Sequence, residues 1–502
     1  MKTCARPAVL LTLLATAAVA RTARAEEPQP FSRSRWIREQ TTARFDGGVQ
    51  PATEGETAAL LAFSKSSPTR RRPRPDPAGP PNVRISADIL DADPRSGAQA
   101  ETEAEPSLAA NPEDEQHLVA GYQEDRFASG GARVLTYAVS RDGGQRWSEG
   151  ILPGLTVATD GAFERASDPW VAFGDGGRVY FAAIAFDETS VQNGITLSRS
   201  DDGGSSWGSP VLVHFNRSRD FDDKEAVVVD SVADSPFRGR VYVAWDTVVS
   251  EDLQLLRIAH SDDGGATWSA PVDVGTHGQN IGALPFVGPG GVVSLLWKSY
   301  LPGSAELRAA RSTDGGSTWS EPVLVALPQT RGVAALRTGE LFAAAIDPRN
   351  GRLYLVWPDQ RFTPGADQIV LAASDDGVYW TEPLRVSDGP DDAPCFTPAV
   401  AVNGQGRFGV AYSTLRLDPA RSFLVDQYLV TTNSRGRLTG AGRVSTRSFD
   451  VREAAVALGF FLGDYQGLVA GRKIFRPVWV ATSEDSRFRA GKQSDVVTLW
   501  IR

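Results

Sequence analysis

Residues 200–207 read SDDGGSSW, residues 261–268 read SDDGGATW and residues 312–319 read STDGGSTW, and these three octapeptides decide the fold. A fourth copy, SRDGGQRW at 140–147, fits the same S-x-D-x-G-x-x-W pattern, and ASDDGVYW at 373–380 fits with Ala373 in place of Ser. Their acidic residues, Asp142, Asp202, Asp263, Asp314 and Asp375, lie 60, 61, 51 and 61 residues apart. Thr432–Thr439 (TNSRGRLT) reads as a decayed sixth copy that keeps Gly436. Self-similarity at one period is the mark of an architecture built from repeated supersecondary units. Each octapeptide is expected to be a hairpin turn that staples itself. The Asp carboxylate accepts nearby backbone N–H groups and the glycines supply φ > 0. Trp147, Trp207, Trp268, Trp319 and Trp380 then fold beneath their turns into the layer between neighbouring sheets. A calcium loop would need a run of oxygen ligands and a closing Glu, which these turns lack, so their role is read as structural.

A second repeat counts the units. Tyr122, Phe186, Trp245, Trp297, Trp357, Tyr412 and Trp479 each close a β-like run, such as VYVAW or LYLVW, at spacings of 52 to 67 residues. A further short apolar run precedes each. Seven units of about four strands predict an all-β fold, a β-propeller of four-stranded antiparallel blades, with seven blades preferred and six the alternative. The last unit has three evident strands. Asn82-Val-Arg-Ile-Ser is a spare strand at the start that can close the ring as its fourth.

Composition agrees. Of 502 residues, 49 are Gly and 32 Pro, while 41% are hydrophobic and 23% charged, as in a soluble globular protein. A net charge of −9 argues against a nucleic-acid-binding surface, and two cysteines with four histidines exclude a disulfide scaffold or a Cys/His metal module. Lys2 and Arg6, an apolar run from Pro7 to Ala20, and Ala23-Arg24-Ala25 make residues 1–25 a secretory signal peptide. No stretch is long enough for a membrane span. Residues 26–81, with Arg70-Arg71-Arg72-Pro73-Arg74-Pro75, read as a poorly ordered leader or linker, and 82–502 as the repeat domain. The expected location is secreted or periplasmic. Cys395, left unpaired, reads as a small buried residue.

The octapeptides resemble the Asp boxes, or BNR repeats, of the sialidase superfamily of β-propellers, over essentially all of 82–502. The resemblance implies an exported glycoside hydrolase acting on extracellular, sialylated or anionic glycans. In that family a Tyr nucleophile is paired with a Glu, an Asp supplies the acid proton, and three arginines clamp the substrate carboxylate. A neutral phenol suits an anionic substrate because it avoids charge repulsion. The family's opening Phe/Tyr-Arg-Ile-Pro has only Val83-Arg84-Ile85-Ser86 as its counterpart here.

Ligands of propellers sit where loops enter the inner strands, so residues there are the candidates. On the resemblance, Tyr465 is the nucleophile, Glu225 its partner and Asp168 the acid. Arg126, Arg331, Arg337 and Arg361 are anion contacts, with Asp464 and Glu105 beside them in the substrate pocket. No cofactor is required. A divalent cation such as calcium, held by Glu105, Asp168, Glu225 and Asp464, is a further reading. Two other functions stay open: a non-catalytic propeller that binds glycan or protein, and a polysaccharide lyase. The expected partner is an extracellular glycan or glycoprotein, with no nucleic acid, and the expected state is a monomer.

Overall fold

The alternating apolar runs of the sequence become antiparallel strands, and the chain is nearly all-β. The computed structural model describes residues 31–41, 80–90, 93, 95–275, 278–339, 341–416, 423–482 and 493–499. Residues 1–25, read as a signal peptide, and most of the 26–81 leader lie outside these.

Among the described residues the strands fall into consecutive antiparallel groups. The third, for example, runs Phe221–Val229, Val241–Ser250, Leu253–Ser261 and Val272–Val274, each strand paired with the next. Among the described residues, the inner strands, named for the small cavity that they or the residues just before them line together, are Gln99–Asn111, Arg165–Phe173, Phe221–Val229, Gln279–Val287, Ala343–Ile346, Cys395–Val402 and Gly467–Ala470. The last group pairs Gly467–Ala470 with Phe475–Thr482 and then with Ser494–Leu499. Its outer partner comes from the other end of the chain: Asn82, Val83 and Arg84 pair antiparallel with Leu499, Thr498 and Val497.

All seven aromatics that closed the second repeat are buried on second strands, none more than 4% exposed. Each stands between its own sheet and a neighbour, and burying a side chain of this size contributes on the order of 2–3 kcal/mol. Apolar clusters join each group to the next. One unites Val119 and Val139 with Phe173 and Phe181, and another unites Tyr242 and Ile258 with Leu295 and Trp297. The last and first groups share one as well, through Val478, Val480 and Val496 against Leu118, Ala120 and Tyr122.

The octapeptide turns staple themselves through two side chains. In the fourth, Ser312 Oγ accepts Gly316 N–H at 2.8 Å and donates to Asp314 at 2.7 Å, while Asp314 accepts the amides of Ser317 and Thr318. Gly315 and Gly316 take φ of 70° and 89°, which a side chain would resist. Hydroxyl and amide donors from Ser206 and Thr318 hold Asp202 and Asp314 down at about 2. Trp319 packs against the cluster shared by the third and fourth groups. The fifth turn departs from expectation. Ser374 and Asp376 form the staple, with Asp376 accepting the Val378 and Tyr379 amides, while Asp375 is exposed and pairs with Arg352. This copy has one Gly rather than two, so the accepting carboxylate stands one residue later.

A second departure lies in the leader, where Arg33–Thr41 is a helix docked on the strands rather than unstructured chain. Arg33 anchors it, fully buried, donating to the carbonyls of Arg219 (2.6 Å) and Val191 (2.5 Å). Its guanidinium also faces the rings of Trp36 and Phe221. Cys395 is buried as expected, and burial pushes its thiol up to about 11. Among the described residues no helix is long and apolar enough to cross a membrane.

Removing the Ser312 hydroxyl leaves the buried Gly316 N–H without an acceptor, which costs about 1–2 kcal/mol. Ser312→Ala is therefore expected to lower the free energy of unfolding by that amount, read as a lower urea midpoint with an unchanged slope.

Candidate functional site

A recurrent kink in the inner strands builds the site. In five of them the register with the second strand slips, between Ala104 and Ser107, Ser167 and Trp170, Asp223 and Ala226, Ile281 and Leu284, and Phe396 and Ala399. At every slip one residue is left-handed: Glu105 (φ 55°), Asp168 (55°), Lys224 (41°), Gly282 (75°) and Thr397 (45°). A bulge re-aims the side chain that carries it. Four of the five are not glycine, and holding such residues in this region costs on the order of 1–3 kcal/mol each. Three successive groups thus deliver the charged side chains Glu105, Asp168 and Lys224 to one locality.

Two cavities meet there. The larger, about 800 Å³, has Asp168, Lys224, Arg126, Arg337 and Asp464 in its lining, with Lys298, Tyr300 and Glu306 further round. Ser34, Ile37 and Arg38 of the docked helix complete part of its wall. The smaller, about 130 Å³, is lined by all seven inner segments, including Ser107, Trp170, Leu284, Phe342, Val400 and Leu468. Lys224 and Leu341 line both cavities, and Tyr465 belongs to the smaller one.

The polar groups form a continuous chain. Arg126, buried, donates to Gln123 Oε1 and lies 3.4 Å from Glu105. Gln123 Nε2 donates to Glu105 and, at 2.9 Å, to Ser167 Oγ, which donates to Asp168 Oδ1 at 2.8 Å. Arg337 forms a two-point pair with Asp464, and the Phe461 ring lies against both guanidiniums, 4.5 Å from Arg126 and 4.8 Å from Arg337. Burial, reinforced by Asp168, pushes the Glu105 carboxyl well above the usual range, against the pull of Arg126. A carboxyl held protonated in this way can donate a proton to a leaving oxygen.

Tyr465 and Glu225 lie beneath. The Tyr465 hydroxyl donates to the Pro169 carbonyl at 3.0 Å, and its ring sits 4.1 Å from Lys224 Nζ and 5.4 Å from Trp170. Burial raises the phenol well above its ordinary value, with Glu105, Asp168, Glu225 and Asp464 adding to the effect. Glu225 is fully buried, neither of its carboxyl oxygens has a hydrogen-bond partner, and burial raises it strongly against the pull of Lys224.

Of the sequence candidates, Glu105, Asp168, Glu225, Asp464, Tyr465, Arg126 and Arg337 come together. Arg331 and Arg361 do not. Arg331 is exposed and meets Asp367 only through its backbone N–H, and Arg361 is held by Asp359 and the Leu327 carbonyl, so neither lines the cavity. The proposed cation quartet does not gather its oxygens into one compact set: Glu105 and Asp464 face guanidiniums instead. Sequence reasoning passed over Gln123, Phe461 and the helix residues. Of these none carries a local sequence signal: Phe461 stands in a plain apolar run, AVALGFFL, at 455–462.

No protein-family model matches the chain, and no curated protein matches it. Solved structures similar to it include sialidases and related glycoside hydrolases. A Hadza microbial sialidase is 16% identical with a TM-score of 0.44, covering 62% of this chain and 64% of its own. The chain therefore spans somewhat less than two thirds of that sialidase. The intramolecular trans-sialidase from Ruminococcus gnavus is 15% identical at 0.42, covering 69% and 95%. The α-L-arabinofuranosidase from Fusarium graminearum is 14% identical at 0.40, covering 65% and 91%.

Glu225 gives a test of this electrostatic picture. Its folded pKa lies above the unfolded value of about 4.3, so between the two the folded state binds the extra proton and stability falls as pH rises. Glu225→Gln removes the group that must be ionised or kept protonated. The variant is expected to match the parent melting temperature near pH 4 and to exceed it increasingly towards pH 8, as read by calorimetry.

Proposed function

We propose that the chain is an exported seven-bladed β-propeller that hydrolyses glycosidic bonds of a glycan seated in the cavity of about 800 Å³. The observation that carries this is the set of left-handed bulges that bring Asp168 and Lys224 into the cavity lining, with Glu105 buried behind and linked to Asp168 through Gln123 and Ser167. Strained non-glycine residues cluster where a reaction needs fixed geometry. Asp168, which lines the cavity, donates the proton to the leaving oxygen and recovers it from water. Tyr465, reached from the large cavity past the shared Lys224 and Leu341, attacks the anomeric carbon as the leaving oxygen departs, once its hydroxyl has released the Pro169 carbonyl and passed its proton to the ionised form of Glu225. Water then cleaves the tyrosyl–sugar bond, its proton going to Asp168, and Glu225 returns the phenol proton. Lys224, against the phenol ring, favours the anionic oxygen. A sialoside or other anionic sugar is the finer form of this reading. Its carboxylate would meet Arg126 and Arg337, both of which lie against Phe461, with Arg38 as a third guanidinium in the cavity wall.

One observation favours a second reading, a non-catalytic glycan-binding propeller. The Tyr465 hydroxyl, Arg126 and Arg337 are each already engaged, by Pro169, Glu105 and Asp464. Fluorogenic α-sialosides and α-L-arabinofuranosides, assayed beside glycan retention on an array, separate the two. Hydrolysis is expected, with kcat/KM falling about 100-fold or more in Asp168→Asn and further burst kinetics lost in Tyr465→Phe. Retention without turnover selects the binding module. Neither turnover nor retention overturns both.

A further inference from the structure

Away from the cavity, three acidic side chains from three different parts of the chain converge. Asp88 follows the N-terminal strand Asn82–Arg84, Glu103 lies on Gln99–Asn111 and Asp495 on Ser494–Leu499. One carboxylate oxygen of each lies within 4.8 Å of the others. Oxygens that share a cation at 2.3–2.6 Å must lie within about 5 Å of one another.

Glu103 supplies an independent observation. It is fully buried, and neither of its carboxyl oxygens finds a hydrogen-bond donor. Asp88 Oδ1 is buried and lacks a donor too. A buried acceptor without a partner costs about 1–3 kcal/mol, more if charged, so such a group calls for a missing ligand. The charge balance points the same way. Arg84 pairs with both Asp88 and Asp495, and Glu124 adds a further carboxylate within electrostatic reach of Glu103. One guanidinium faces three acids, Asp88, Asp495 and Glu103.

We propose that Asp88, Glu103 and Asp495 form a divalent-cation site, suited to calcium by its all-oxygen donors, that clasps the N-terminal segment to the joint between the last and first strand groups. Water completes the six to eight ligands that calcium takes. None of the three residues lines the large cavity, so the site is separate from the proposed chemistry.

The test uses the full chain, stripped with a chelator and dialysed. Calcium titrated by calorimetry is expected to bind at one site, and added calcium to raise the melting temperature by a few degrees. Terbium, which replaces calcium, should show sensitised emission that excess calcium suppresses. Glu103→Gln and Asp88→Asn should each weaken calcium binding at least tenfold, while Asp168→Asn leaves it unchanged. Glu103→Gln removes a buried charge and keeps its shape, and Asp88→Asn lies in a partly exposed segment, so at least one variant reports on the folded protein. Absence of calorimetric binding to the parent overturns the proposal. So does binding that survives in both variants, which would place the ion elsewhere. A melting temperature raised by Glu103→Gln, with no calcium response in the parent, would identify a protonated carboxyl in place of a metal ligand and overturn it equally.

Discussion

A sheet that is apolar on both faces cannot be the last in a stack. Side chains of a strand point alternately to opposite faces, and Val179–Phe186 and Leu353–Asp359 are buried at every position. Each such sheet demands a neighbour on either side, and no arrangement with two ends can supply that. Sharing a cluster between the last group and the first meets the demand. The pairing of Asn82–Arg84 with Ser494–Leu499 is the hydrogen-bonded form of the same requirement, since an edge strand needs a partner as an apolar face needs a cover.

The site is a by-product of that arrangement put to use. Inner strands that converge from all sides crowd their first residues, and a bulge turns one side chain per strand out of the ladder. Where this residue is Gly282 or Thr397 the bulge is only geometry. Where it is Glu105, Asp168 or Lys224 it becomes chemistry, because charged groups are gathered there: burial and the neighbouring Asp168 push the Glu105 carboxyl up, while Arg126 and Arg337 limit the effect. The same backbone device therefore yields inert and charged positions according to sequence.

The repeat itself was legible because its information is local. The octapeptides, the buried aromatics and the spare strand at Asn82 all follow from spacing and alternation. The misplaced Asp375 shows the limit of that locality. With Asp375 and Asp376 adjacent, the pattern matches either, and only the missing second glycine moves the staple to Asp376. Arg331 and Arg361 were beyond reach for another reason: position near a strand end does not say which way a loop turns its side chains, and the Arg331 side chain is exposed while that of Arg361 pairs with Asp359. The helix Arg33–Thr41 was invisible because RSRWIREQT carries little apolar surface. Its anchor is a guanidinium that meets carbonyls of Val191 and Arg219, more than 150 residues away.

The pairing of Asn82 with Leu499 also sets an order of events. These partners are 417 residues apart, so the first strand of the array emerges long before its mate exists. Contacts of such sequence separation form slowly, because the entropy of closing the loop must be met before the contact returns anything. The local hairpins can assemble as they appear, but the array stays unsealed until the C-terminal strand arrives. Until then the edges of the first and last groups stay open, and an open edge can pair with a strand of another chain. The interval before the C-terminal strand arrives is thus the one in which the array is most exposed to wrong pairing.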